Sequence, residues 1–509
     1  MNRLCVRCLL LISLSLLGAR AGAQAPAAHV EDTARKEAAA TPPVAPVARR
    51  QLFGTLPIAT RSDEARKLLE KAVDQYENVL LDMSVDNAHK AAIKDSHFAL
   101  AFAVWSYAAS RTQPAPEALQ RAKALVSKAA PDEQLLVNWL IDVQQGDNLA
   151  AIGAMNDLLT RFPNDKHVLY LTSEWLYFQQ DYDRARRMME KIVQIDANFP
   201  PALNMLGYAY IETGDPDPAK AINYLKRYAT LQPNQPNPQD SLGEVLRFAG
   251  DDQGSLEHYA LSLKIITNFI TSQVGLGDTC ALMGDYTRAR AEYDKAGPMA
   301  TNSRDRLHGE FQKALVYFWA GQPEQGRKAL DSLLEEARRQ KDAYAQFEIG
   351  FGRAAVSTDA AGELEQLRAL EASVEKPVSG MSEPDRHIYS AGVLREEARV
   401  AALSGSGNIA EEAISKLERS AALTRDLIVE NNYESARGYL LFAQGDFANA
   451  ADELAADPHS PLALQQLVLA QEKLGNTAAA ENVRTRLKYQ RAPTVEWYLV
   501  TRSGAGETH

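Results

Sequence analysis

The chain has 509 residues and a net charge of −11, with 46% hydrophobic but only 7% aromatic residues. That acidic balance argues against nucleic acid or an anionic membrane surface as the main partner, since both need clustered cations. Helix formers dominate and long Val/Ile alternations are missing, so the pattern predicts an all-α protein packed through small residues.

The first seven residues carry Arg3 and Arg7 and no acid, an apolar run follows from Cys8 to Leu17, and Ala21-Gly22-Ala23 precedes Gln24. A basic start, a short apolar stretch and a small-x-small site read as a secretory signal peptide over residues 1–23. The apolar run is shorter than the roughly 20 residues of a membrane span; an uncleaved anchor is the alternative. Cys8 stands ahead of the apolar run and behind Cys5-Val6-Arg7, which is the wrong setting for lipid attachment. Cleavage after Ala23 would remove Arg3, Arg7 and Arg20, taking the net charge from −11 to −14, and would leave Cys280 without a disulfide partner. The expectation is an exported chain, periplasmic or secreted, with no membrane span after cleavage.

Residues 24–60 are rich in Ala and Pro, as in Thr41-Pro42-Pro43-Val44-Ala45-Pro46, and read as a disordered linker. Structure should begin at Ser62-Asp63-Glu64-Ala65, an N-cap followed by first-turn acids. The stretch Phe98–Trp105 is apolar on most sides and reads as a buried helix. An N-terminal array is expected over 61–340, best defined over 167–340, and a second helical array over 341–500. Between their helices, Glu375-Lys376-Pro377-Val378-Ser379-Gly380 is a candidate hinge. Residues 501–509, with Ser503-Gly504-Ala505-Gly506, form a flexible tail.

The informative feature is repetition. Leu206-Gly207 is echoed by Leu242-Gly243 and Leu276-Gly277, and Gly214-Asp215 by Gly250-Asp251 and Gly284-Asp285. Gly243 to Gly277 spans 34 residues, and so does Gly250 to Gly284. Such a period means stacked helix–turn–helix units. A small residue at Gly207, Gly243 or Gly277 lets a second helix sit against the first. Gly214, Gly250, Gly284 and Gly445 should end first helices, where a positive φ costs glycine little. Asp215, Asp251, Asp285 and Asp446 should cap the helices that follow. The Gly207 and Gly243 units are 36 residues apart, because Gly214-Asp215-Pro216-Asp217-Pro218 lengthens one turn. Further units are marked by Ala314, Tyr317, Gly321 and Ala329, by Gly438, Gly445 and Ala450, and by Leu474-Gly475 and Ala480.

At these residues the chain resembles the tetratricopeptide repeat (TPR) family, most closely from Val168 to Ala337; its start is similar to exported bacterial members of that family. Ser173 and Val468 depart from the Leu-x-x-Gly pattern. The resemblance implies an α-solenoid wound as a right-handed superhelix, with ligands held against first-helix side chains on the concave side. Carried over by position, those are Tyr170, Glu174, Tyr177 and Phe178, then Asn204, Tyr208 and Glu212, then Asp240, Glu244, Arg247 and Phe248, then Asp278. Acids occupy most positions where the family's carboxylate clamp has lysines and asparagines, and only Asn204 and Arg247 could donate. The expected partner is therefore a protein or peptide, basic or extended, held in an acidic and aromatic groove.

No catalytic constellation is found. The nine histidines make no His-x-x-x-His pair, and there is no Gly-x-Ser-x-Gly elbow or Gly-x-x-x-x-Gly-Lys loop. No cofactor or metal is expected. Cys280 stands where Tyr210 and Leu246 stand in neighbouring units and reads as a core side chain. The leading reading is a scaffold for protein or peptide binding. The alternatives are a carbohydrate- or small-ligand-binding solenoid using Tyr170, Tyr177 and Tyr208, or an enzyme with its site in the less regular regions 61–166 or 343–404.

Overall fold

The computed structural model describes Leu56, Ile58 and residues 60–502. The expected signal peptide, nearly all of the linker and the tail beyond Arg502 lie outside the described residues. Among the described residues twenty-five α-helices follow one another, all but the last in antiparallel pairs. The first six pairs are α1 (Asp63–Glu77) and α2 (Leu81–Lys94), α3 (Ala99–Ala109) and α4 (Pro116–Leu125), α5 (Pro131–Gln145) and α6 (Asn148–Arg161), α7 (Lys166–Phe178) and α8 (Tyr182–Ile195), α9 (Pro200–Glu212) and α10 (Pro218–Leu231), α11 (Asn237–Phe248) and α12 (Asp252–Ile265). The next six are α13 (Ile270–Leu282) and α14 (Tyr286–Ala296), α15 (Ser303–Trp319) and α16 (Pro323–Gln340), α17 (Ala343–Ala355) and α18 (Ala360–Val374), α19 (Glu383–Leu403) and α20 (Gly407–Thr424), α21 (Leu427–Gln444) and α22 (Phe447–Ala455), α23 (Pro461–Lys473) and α24 (Thr477–Lys488). A last helix, α25 (Val495–Arg502), closes the series. The molecule is an α-solenoid.

The odd-numbered helices form the inner layer and the even-numbered ones the outer. All of α9 except Pro200 is buried, whereas its partner α10 buries only Ala221, Leu225 and Tyr228. The glycine in three of the inner helices is required by that contact. A Cβ on Gly207 would lie 2.4 Å from Leu225, on Gly243 2.9 Å from Tyr259, and on Gly277 2.6 Å from Tyr293. Each clash is with the second helix of the same pair, so glycine sets how closely the two helices approach.

The turn chemistry is as expected at most positions. Ser62 caps α1 by accepting from the Ala65 amide. Asp251, Asp285 and Asp446 cap α12, α14 and α22. Gly250, Gly284 and Gly445 have φ of +86°, +79° and +86°. The lengthened turn departs from the rule. Gly214 is not in the left-handed region, α9 ends at Glu212 with Thr213 as its C-cap, and Asp217, not Asp215, caps α10 by accepting from the Lys220 amide. Two extra residues move the cap along with the helix start. The candidate hinge is a loop between α18 and α19. Arg386 spans it, donating to the Val374 and Glu375 carbonyls at 2.9 and 3.0 Å.

The solenoid winds back on itself. Asn148 donates to the Thr424 carbonyl and the Asp426 carboxylate, at 2.9 and 3.3 Å. The Asn431 and Gln180 side-chain amides meet, the Tyr182 and His459 rings lie 4.3 Å apart, and Arg491 pairs with Asp252 at 3.1 Å. The sequence separations of the hydrogen-bonded pairs, 239 to 278, correspond to about seven to eight repeats of 34 residues. One superhelical turn therefore stacks on the turn before it. The strap between α24 and α25 crosses this seam, with Ala492 buried in the core of the first six pairs. Helix α25 then packs Val495 near Phe311 and Gly352, and Tyr498 against Phe318 and Trp319.

Candidate partner-binding face

A ladder of carboxylates and their donors runs along the inner helices. In α7, Glu174 accepts from the Tyr76 hydroxyl at 2.7 Å and from Arg111 at 2.8 Å. Tyr76 ends α1 and Arg111 follows α3, so the first two pairs reach across the lumen to the fourth. Tyr170 donates to the Glu77 carbonyl at 3.3 Å, and Arg111 lies over the Phe178 ring, 5.4 Å from its centre. Tyr177 donates to Glu212 at 2.6 Å, and Tyr208 to Glu244 at 3.1 Å. Arg247 bridges Glu244 and Asp278 at 3.0 and 2.8 Å, and Tyr293 donates to Asp278 at 2.7 Å. Ser272 donates to Asp240 at 2.6 Å.

In this arrangement the residues expected to line a concave groove are buried. Tyr170, Glu174, Tyr177, Asn204, Tyr208, Asp240, Glu244, Arg247 and Asp278 are all 0–4% exposed, and Phe178 is half-buried. The inner helices approach so closely that an acid on one repeat accepts from a side chain on another, and solvent is displaced. Charges that looked ligand-facing are partners of one another. Tyr76 and Arg111 were not anticipated as members. Tyr76 lies 98 residues from Glu174 and Arg111 lies 63, and no local pattern carries such a pairing. Tyr210 is buried in the core, as expected, stacked on Tyr224 with Arg186 and Lys220 over its ring.

Burial governs protonation along the ladder. It raises Glu212 to about 8, against the hydrogen bond from Tyr177, with Glu244 adding repulsion. It raises Asp240 to about 8, against the bond from Ser272. Arg247 stays charged, because Asp278 and Glu244 outweigh the cost of burying its guanidinium. Asn204 Oδ1 on α9 lacks a hydrogen-bond partner, and Asp240 Oδ2 on α11 has only the Thr271 hydroxyl bearing on it. They occupy the same register position in consecutive repeats.

Among the described residues no cluster of three or more His, Cys, Asp or Glu is placed to hold a metal ion. No described helix is long and apolar enough to cross a membrane. Cys280 is fully buried, and burial lifts its thiol to about 11, so thiolate chemistry there is suppressed.

The tetratricopeptide repeat family model matches residues 176–239, from the end of α7 to the start of α11. Those residues are a tetratricopeptide repeat segment within the α-solenoid. No curated protein matches it. Among solved structures, yeast Tom70 is similar over 87% of this chain and 99% of its own, at 14% identity and a TM-score of 0.42. A tetratricopeptide repeat protein from Parabacteroides merdae is similar over 53% of this chain and 93% of its own, at 13% identity and 0.35. MamA is similar over 33% of this chain and 95% of its own, at 21% identity and 0.28. A tetratricopeptide repeat scaffold is an architecture for protein–protein interaction in general.

Proposed function

We propose that this protein is an exported scaffold, without catalytic activity of its own, whose inner face takes a basic, extended polypeptide segment. The observation that carries this reading is a pair of buried acceptors on adjacent inner helices, Asn204 Oδ1 without a partner and Asp240 Oδ2 with only Thr271 bearing on it. A buried acceptor without a donor costs about 1–3 kcal/mol, and a lysine or arginine side chain would supply the missing protons. Glu212 and Asp240 add to the preference, because a bound cation would favour their ionised forms. Since the ladder residues are 0–4% exposed, entry of a segment would require neighbouring repeats to part locally. The export component rests on the basic start and apolar run within residues 1–23.

Fluorescence anisotropy with labelled Lys/Arg-rich and Asp/Glu-rich peptides tests the partner reading. The basic set should bind more tightly, and Tyr208→Ala or Asp240→Ala should weaken that binding. Tighter binding of the acidic set would reverse the assignment. Fractionation of cells making the full chain, beside a form lacking residues 1–23, tests export; equal retention of both in the cytoplasm would remove that part alone.

A further inference from the structure

The seam between stacked superhelical turns contains one ionisable side chain whose surroundings admit only its neutral form. His459 lies in the loop before α23 and is 2% exposed. Its ring packs edge-on against Tyr182, at the start of α8 in the preceding turn, with centres 4.3 Å apart. Its Nδ1 has no hydrogen-bond partner among the described residues. Arg486 of α24 bears on it as a second cation and is itself drawn toward Asp183 of α8. On its own loop, Asp457 is already engaged by Arg395, at 3.3 Å. Tyr182 and Asp183 therefore face the site from the earlier turn, Arg486 from α24, and Asp457 and Arg395 from the later turn.

A proton added to this imidazole would create a buried N–H without an acceptor and a second cation beside Arg486. Both effects oppose charging while the turns are stacked. Separating the turns exposes the ring to water, where the proton is accepted normally. We propose that His459 makes the stacking of the superhelical turns acid-sensitive, so that protonation favours a state in which the second turn has lifted from the first.

The direction follows from linkage. Burial, with Arg486 second, pushes His459 down to about 3 in the stacked state, against an ordinary value near 6.5. Its contribution to stacking is complete above about pH 6.5 and is lost progressively as pH falls toward 3. Between pH 7.5 and 5.0 the stacked-to-open ratio should fall roughly 30-fold. The Arg491–Asp252 ion pair and the Asn148–Asp426 hydrogen bond are further contacts across the same seam.

Hydrogen–deuterium exchange on the full chain at pH 7.5 and 5.0, corrected for intrinsic rates, tests this. The readout is at Ala185, bonded to the Asp181 carbonyl, and Leu464, bonded to the Ser460 carbonyl, with amides of α3, which carries no carboxylate or histidine, as internal reference. Protection should fall at Ala185 and Leu464 but not in α3, and small-angle scattering should show a larger radius of gyration at the lower pH. His459→Phe keeps the ring contact and should abolish both changes; His459→Gln serves as the second variant should the first fail to fold. Unchanged protection in the wild type, or a loss that persists in a folded His459 variant, would overturn the proposal.

Discussion

Tyr208 and Glu244 stand at the same register position of consecutive repeats, 36 residues apart, and the tyrosine donates its hydroxyl to the carboxylate at 3.1 Å. One position of the repeat thus bonds to its own successor. Asp278, the next residue in that series, is joined to Glu244 through Arg247. The ladder transmits side-chain identity from repeat to repeat along the inner layer, and its members cannot be altered independently.

Tyr208→Phe removes one donor to Glu244 and leaves Arg247 in place. The expected loss is about 1–2 kcal/mol, confined to the pairs around α9 and α11. Hydrogen exchange resolved by helix is the suitable measurement, because a long repeat array need not unfold in one step. An effect spread evenly from α1 to α25 would contradict a local ladder.

Arg247→Met strands two buried carboxylates, Glu244 and Asp278, without their shared cation. The expected cost is about 3–5 kcal/mol, read from the denaturant midpoint of the affected repeats. Adding Glu244→Gln and Asp278→Asn should recover most of it, since both amides still accept from Tyr208 and Tyr293. Failure of the triple variant to recover would mean that Arg247 acts through packing.

Gly243→Leu places a side chain where even a Cβ would lie 2.9 Å from the Tyr259 ring. The pair α11–α12 must splay, at a cost of about 1–3 kcal/mol. An unchanged melting profile would show that the pair has room that the structure denies.

Glu212 titrates near 8 in the fold, raised chiefly by burial, against about 4.3 in an unfolded chain. A carboxyl raised on folding holds its proton in the native state and loses it in the unfolded one. Its contribution is therefore present at pH 4 and declines as pH rises toward 8, by up to about 1.4 kcal/mol per unit. Glu212→Gln still accepts from Tyr177, and it should flatten the stability–pH profile of the fourth and fifth pairs between pH 5 and 8. A profile as steep as that of the wild type would assign the dependence to another group; Asp240, also raised to about 8, is the first to examine.

The sequence by itself determined the helix pairs. Their signals are local: a period of 34, a glycine facing one particular side chain of the next helix, and an aspartate opening many of the second helices. Gly243 and Asp251 act within a few residues of chain or across one turn, so pattern suffices to place them. The lengthened turn was legible as an insertion, but the cap moved to Asp217 because the helix start itself shifted by two residues. The inner face was legible only as a set of positions. Whether Glu174 meets solvent depends on Tyr76 and Arg111, which the winding of the superhelix brings across the lumen. The seam depends on it further still, since His459 meets Tyr182 only after about a full turn of the solenoid. A small rotation at each pair, set by packing, accumulates over some 240 to 280 residues and decides which surfaces close. That sum is a property of the assembled array, and no single repeat encodes it.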